Sequence, residues 1–201
     1  MTVSPELDAR FRAAAASQGL LDASYDLFDS PIGPLFAAAT PRGLCRISFD
    51  PEPEREEERL ARGFGLRVLR SPRALDAARR ELDDYFDGRR QQFDLPLDLR
   101  VLAPFHRAVL DRLAQVPYGR LTTYGTLAAS AGRPRAARAV GTIMNRNPIP
   151  IVLPCHRVVG STGKLVGYGG GLHRKQHLLE LEGAIAGVAT PLPGLDSPHE
   201  P

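Results

Sequence analysis

The chain has 201 residues, 43% of them apolar, which is enough for one large domain or two small ones, each with a core. No apolar run reaches membrane-spanning length, and the alanine-rich opening segment with mixed charges is unlike a secretory leader. Two cysteines without a Cys-x-x-Cys pair make no disulfide framework, so a reduced, cytoplasmic setting is expected.

Residues 1–22 read as a loosely attached N-terminal extension. Two strand-like runs follow, Ser24–Phe28 and Leu35–Ala39, separated by Ser-Pro-Ile-Gly-Pro turn chemistry, and a third, Leu44–Phe49, comes after a Thr-Pro-Arg-Gly turn. "PEREEERLARGF" predicts a short charged helix and "LRVLRS" a fourth strand. In "SPRALDAARRELDDYFDG", Ser71 is the expected N-cap, Pro72 the first helical residue and Gly88 the terminator. Leu75, Ala78, Leu82, Tyr85 and Phe86 recur at helical spacing as its apolar face. A linker is expected around Leu95, giving a unit of residues 23–95 and a second of 96–187, with a Pro-rich tail from 188.

The second unit differs in character. From Arg100 to Gly183 there are 12 Lys and Arg against 3 Asp and Glu, a local net charge of +9 in a chain of net +3. Such a basic half suits a polyanion, nucleic acid above all. Pro104 opens a helix carrying Phe105, Val109, Leu113 and Val116 on one face. A short helix is expected within "YGRLTTYGTLAASAG", capped by Thr122 or Thr123 and ended by Gly132. Another is expected to start at Pro134, so the pair has helix-turn-helix form. Small residues Ala136, Ala137, Ala139 and Gly141, with Arg135 and Arg138 interleaved, would let the second helix approach a backbone or groove closely.

Cys45, inside "GLCRISF", reads as a small core hydrophobe. Cys155 does not. Ile149–Leu153 predicts a short strand that Pro154 stops, leaving the thiol at a strand end that can face a cleft. His156 follows directly, but neighbours on extended chain point apart, so a water-bridged relay is easier than a direct contact. Glu182 is the best-placed acid to fix the imidazole tautomer.

The stretch "NPIPIVLPCHRVVGSTGKLVGYGGGLHRKQHLLELEG", together with "YGRLTTYGTLAASAG" and "RAARAVG", resembles the O6-alkylguanine-DNA alkyltransferases over roughly residues 105–183. The N-terminal half matches more weakly, in "SPIGPL" and "TPRGLCRISF". The resemblance implies an α+β protein: a strand-rich α/β domain of ribonuclease-H-like roll type, then a mostly helical domain with a helix-turn-helix. It implies irreversible, single-turnover transfer of an alkyl group from O6-alkylguanine, or O4-alkylthymine, in duplex DNA to Cys155. His156 would activate the thiol through a water, oriented by Glu182, and Asn147 would hold the surrounding turn. Tyr124 would stand by the base to protonate it or rotate its phosphate, and Arg138 would fill the stack once the base flips. Tyr168 and the backbone from Val158 to Gly169 would line the base pocket, with Lys175 adding positive charge.

No cofactor, metal or membrane is implied, and a monomer is expected. Gly169 stands where some members carry Ser, so only backbone contact is available there. Three rivals stay open: an alkyltransferase-like damage binder, a helix-turn-helix regulator and a cysteine hydrolase. The first would lack the thiol and the second would not need Cys155, His156 and Glu182 together. A hydrolase would need an oxyanion hole and a turnover route.

Overall fold

The computed structural model describes residues 18–185 and positions 4, 6, 7, 10, 14 and 15. The expected tail from 188 and most of the expected extension lie outside the described residues. Three strands, β1 (Ala23–Phe28), β2 (Leu35–Thr40) and β3 (Gly43–Phe49), form an antiparallel meander. Helix α1 (Pro53–Phe64) then crosses over to β4 (Val68–Arg70), which pairs parallel to β1, so the sheet order is β3-β2-β1-β4.

Period-2 alternation builds both faces of this sheet. Tyr25 lies opposite Ala38 and Leu27 opposite Phe36, and with Ala23 and Cys45 they pack under Leu60 of α1. Phe28, Leu35, Ala37, Leu44 and Ile47 face the other way, onto the main core. A bulge between Ala38 and Ala39 accommodates Cys45, whose thiol donates to the Ala38 carbonyl at 3.3 Å. Burial pushes that thiol up to about 12, an inert hydrophobe as expected.

The second charged segment departs from its expected start. Pro72–Leu75 is a 3₁₀ turn and Ser71 makes no side-chain cap, so α2 runs Asp76–Phe86. The Ser-Pro signal is satisfied by the tighter turn, which seats Leu75 in the core before the α-helix proper begins. Leu75, Ala78, Leu82 and Tyr85 are buried as the spacing requires.

The outer edge of β3 is not left open. Leu44 N–H donates to Pro96 O at 2.8 Å, Asp98 N–H to Leu44 O at 2.8 Å, and Ile47 N–H to Pro148 O at 2.8 Å. The segment around Leu95 is thus ordered along the sheet edge, and the loop before Cys155 docks on the same edge.

Beyond it come α3 (Pro104–Leu113), β5 (Thr122–Thr123), α4 (Tyr124–Ser130), α5 (Ala137–Asn145), β6 (Val158–Val159) and α6 (Leu172–Leu181). Thr123 caps α4, its hydroxyl accepting from Thr126 N–H at 3.1 Å. Gly132, at φ +78°, ends that helix and turns the chain. Helix α5 starts at Ala137, not at Pro134: Ala136 N–H bonds Arg133 O, so residues 133–136 form a separate turn. One hydrophobic cluster unites Leu82 and Tyr85 of the sheet unit with Leu110, Leu127, Val140, Ile151 and Leu178 of the helical one.

Candidate active site

The run Ile149–Leu153 is a tight turn, not the expected strand. Its β-branched residues favour extended chain, but Asn147 takes the backbone groups that a ladder would need. Asn147 Nδ2 donates to Leu153 O at 2.8 Å, while its Oδ1 accepts from Ile149 N–H at 3.1 Å. Leu153 N–H returns to Ile149 O at 2.9 Å, and Ile151 is forced to φ +75°, a costly conformation for a β-branched residue. Ile149, Ile151 and Leu153 fill the core beneath. The turn delivers Cys155 as the first residue of a 3₁₀ turn, Cys155–Arg157, with its N–H on Leu153 O at 2.8 Å.

Cys155 is 5% exposed and stands in the wall of a cavity of about 400 Å³. Met144, Asn147, Tyr168 and Gly169 line the cavity from the helical unit, and Arg46, Ser48 and Phe49 from the sheet. Burial pushes the thiol up to about 11, while Asn147, Lys175 and Tyr168 oppose this. At neutral pH the sulfur is therefore a thiol that needs a base before it can attack.

The imidazole that follows the thiol is anchored by an acid. His156 is fully buried, and its Nε2 lies 2.8 Å from Glu182 Oε1. Burial works against the Glu182 charge, but the hydrogen bonds from His156 and Arg157 outweigh it and hold the carboxyl at about 2. An ionised carboxylate only accepts, so Nε2 must carry the proton and Nδ1 the lone pair. Nδ1 has no protein partner, and burial lowers the imidazole's pKa, keeping it neutral.

Sequence reasoning missed most of what surrounds Glu182. Arg157 grips it with Nε and Nη2, both at 2.8 Å, and donates Nη1 to Val116 O at 2.6 Å. Tyr85 of α2 donates to Oε1 at 2.8 Å, and Gly119 N–H to Oε2 at 3.2 Å. Gly119 sits at φ +69°, and a Cβ there would lie 2.8 Å from Glu182 O. Arg157 could have been suspected from "PCHR"; Tyr85, read as an apolar-face residue, carried no such signal.

The pocket wall is held from behind. Lys175, expected only to add charge, is wholly buried and donates to Val158 O at 2.6 Å and Val166 O at 2.9 Å. Burial lowers it to about 8. Val158 is likewise buried, so Tyr168 and Gly169 line the cavity while Val158 and Lys175 stand behind it. Arg174, also unforeseen, ties this wall to the sheet unit, with Asp50 at 2.6 Å, Ile32 O at 2.7 Å and Gly170 O at 3.0 Å. Its guanidinium lies over Phe49, whose ring stands 5.8 Å from Tyr168. Gly170 packs where a Cβ would come within 2.6 Å of the Phe49 ring.

Strands β5 and β6 link this site to the helix pair, Thr122 pairing with Val158 and Thr123 with Val159. Tyr124, next after β5, is thereby brought near Cys155, and burial and that neighbour both raise its phenol. A Cβ added to Gly141 of α5 would lie 4.0 Å from the Tyr124 ring, and Ala136 and Ala137 are half-buried. Arg135, Arg138 and Ala139 are exposed. Among the described residues no cluster of His, Cys, Asp and Glu could hold a metal, and no helix is long and apolar enough to cross a membrane.

Two family models match the chain: the 6-O-methylguanine DNA methyltransferase ribonuclease-like domain over residues 24–99, and its DNA binding domain over 104–184. A methylated-DNA–protein-cysteine methyltransferase of Methanosarcina barkeri is 42% identical over 79% of this chain and 96% of its own length. The protein of that name from Mycolicibacterium paratuberculosis is 45% identical over 79% of this chain and 91% of its own length. Among solved structures, that of Mycobacterium tuberculosis OGT in complex with DNA superposes with a TM-score of 0.71, at 41% identity, covering 80% of this chain and 93% of that one. A buried thiol beside a carboxylate-held histidine, on a sheet unit joined to a helix-turn-helix, thus places the chain in the 6-O-methylguanine DNA methyltransferase family.

Proposed function

We propose that the protein repairs DNA by moving an alkyl group from O6-alkylguanine, or O4-alkylthymine, in duplex DNA to Cys155, once per molecule. The observation that carries this is the relay Glu182–His156 next to a buried thiol in a cavity wall. With Nε2–H donated to Glu182, His156 Nδ1 takes the thiol proton through an intervening water. The sulfur lone pair forms an S–C bond as the C–O6 bond breaks, and the electron pair leaves with the guanine. The Tyr124 hydroxyl protonates the departing base, and the proton that His156 took from Cys155 passes through solvent to the Tyr124 phenolate. The product thioether has no leaving path, so the protein is consumed.

A thiol only 5% exposed cannot reach an atom inside a duplex, so the damaged nucleotide must flip out, at a cost of a few kcal/mol. Arg138, exposed on α5, fills the vacated stack, and Arg135 with the small face of that helix lies along the groove. The division into a sheet unit of 23–95 and a DNA-binding unit of 96–187 belongs to the same reading, as do a monomeric, cytoplasmic protein and action without a cofactor. The damage-binder reading is disfavoured by Cys155 itself.

Stoichiometry tests it. Limiting protein mixed with excess O6-methylguanine duplex should repair DNA to a plateau equal to the moles of protein. Continued repair beyond that plateau would make the protein a turnover enzyme and end the proposal.

A further inference from the structure

We infer that Tyr85, contributed by α2 of the sheet unit, is a positioning residue for the proton relay: its hydroxyl shares Glu182 Oε1 with His156 and so sets how strongly the carboxylate holds the imidazole proton. The inference rests on the reading of His156 as the base for Cys155.

Tyr85 is fully buried and lies 97 residues from Glu182 in the chain, yet its hydroxyl meets Oε1 at 2.8 Å. His156 Nε2 and Arg157 Nη2 reach the same oxygen, each at 2.8 Å. The phenol ring is fixed by Phe93 at 5.3 Å, Phe86 at 5.5 Å and Tyr118 at 6.2 Å, so the hydroxyl is aimed, not free to wander. Each donor on a carboxylate oxygen spreads its charge. A carboxylate with one donor fewer stabilises an imidazolium more and makes His156 easier to protonate. Tyr85 therefore keeps His156 neutral, the state in which Nδ1 can accept a proton.

None of the other groups facing the relay gives Glu182 a hydrogen bond from a neutral side chain other than His156 itself. They are Cys155 and Arg157 from the 3₁₀ turn, Lys175 from α6, and Tyr118 with Gly119 N–H from the loop before β5. Tyr118 gives its hydroxyl to Leu181 O at 3.0 Å instead. Tyr85 is the neutral side-chain donor in the set, and a Phe there preserves the ring packing.

The test is the pH dependence of benzyl transfer from free O6-benzylguanine to the full-length protein. In Tyr85→Phe the acid limb should move to higher pH by about half a unit to one unit, with rates converging on wild type above it. Tyr85 replaced by 3-fluorotyrosine keeps the shape but donates more strongly, and its limb should move to lower pH. Tyr25→Phe, on the opposite face of the sheet, should leave the limb in place. A uniform loss of rate at every pH, or both Tyr85 variants moving the same way, would overturn the inference. If Tyr85→Phe does not fold, the direction of the fluorotyrosine shift decides. A wild type that reacts but has no acid limb removes His156 as base and this inference with it, leaving alkyl transfer standing. A wild type that takes no benzyl group contradicts the alkyl-transfer reading itself.

Discussion

Asn147 commits both ends of its amide to one turn, and the thiol's position depends on that turn. Its Nδ2 holds Leu153 O and its Oδ1 holds Ile149 N–H, inside a segment whose apolar side chains are buried. Asn147→Ala would leave the Ile149 N–H unpaired in the core and strip Leu153 O of one of its two donors, Cys155 N–H remaining, at a cost of about 1–3 kcal/mol. The strain at Ile151, at φ +75°, would then have less to hold it. We expect the urea midpoint to drop accordingly and benzyl transfer to Cys155 to slow at least tenfold even in folded protein. A variant destabilised but equally reactive would show that the turn does not position the sulfur.

At the scale of elements, the two strands of two residues each, β5 and β6, join the segment after Cys155 to the helix pair α4 and α5. Helix α5 presents Arg138 outward, with Gly141 packed on Tyr124 behind it. If Arg138 replaces the flipped base, Arg138→Ala should react with free O6-benzylguanine almost as wild type does but repair duplex DNA much more slowly. A simple phosphate contact would instead weaken binding and lower the salt slope by about one. Equal slowing on both substrates would assign Arg138 to the pocket or the fold.

Elements with punctuation of their own were legible in the sequence. Three strands between Gly and Pro turns, a threonine cap at 122 or 123 (Thr123 in the structure) and the Gly132 terminator all depend on neighbours within a few residues. Errors came where a local signal had two solutions, as when Ser71-Pro72 opened a 3₁₀ turn and Ile149–Leu153 folded back on Asn147. Cys155 and His156 are legible in the Pro-Cys-His-Arg run that closes an apolar stretch, and Glu182 because few acids occur in that half. Tyr85 and Arg174 were out of reach, since their partners Glu182 and Asp50 lie 97 and 124 residues away.

For the whole molecule, the sheet and helical units share one core, and Glu182 is the polar counterpart of that union, joining Tyr85 of one to His156 and Arg157 of the other. Its carboxyl is held at about 2 against an ordinary 4.5, so ionisation favours the folded state. That contribution, on the order of 3 kcal/mol, is present in full above about pH 4.5 and is lost as pH falls toward 2. His156, buried and neutral with a lowered pKa, adds a loss that begins below its ordinary 6.5, where the unfolded chain takes up a proton first. Urea unfolding at a series of pH values should show stability falling from about pH 6.5 downward. Glu182→Gln should be less stable at neutral pH and flatter below pH 4.5 than wild type. Parallel curves for the two proteins would mean that Glu182 is not the ionised hub.

The alkyl group ends on one sulfur, and the mass of the intact protein reports on it directly. After incubation with O6-methylguanine duplex, the protein should carry one added methyl per molecule and no more, mapped by peptide fragmentation to Cys155, with Cys45 unmodified and Cys155→Ser unchanged in mass. A methyl found elsewhere, an equally modified Cys155→Ser protein, or repaired DNA with no mass gain would contradict transfer to Cys155.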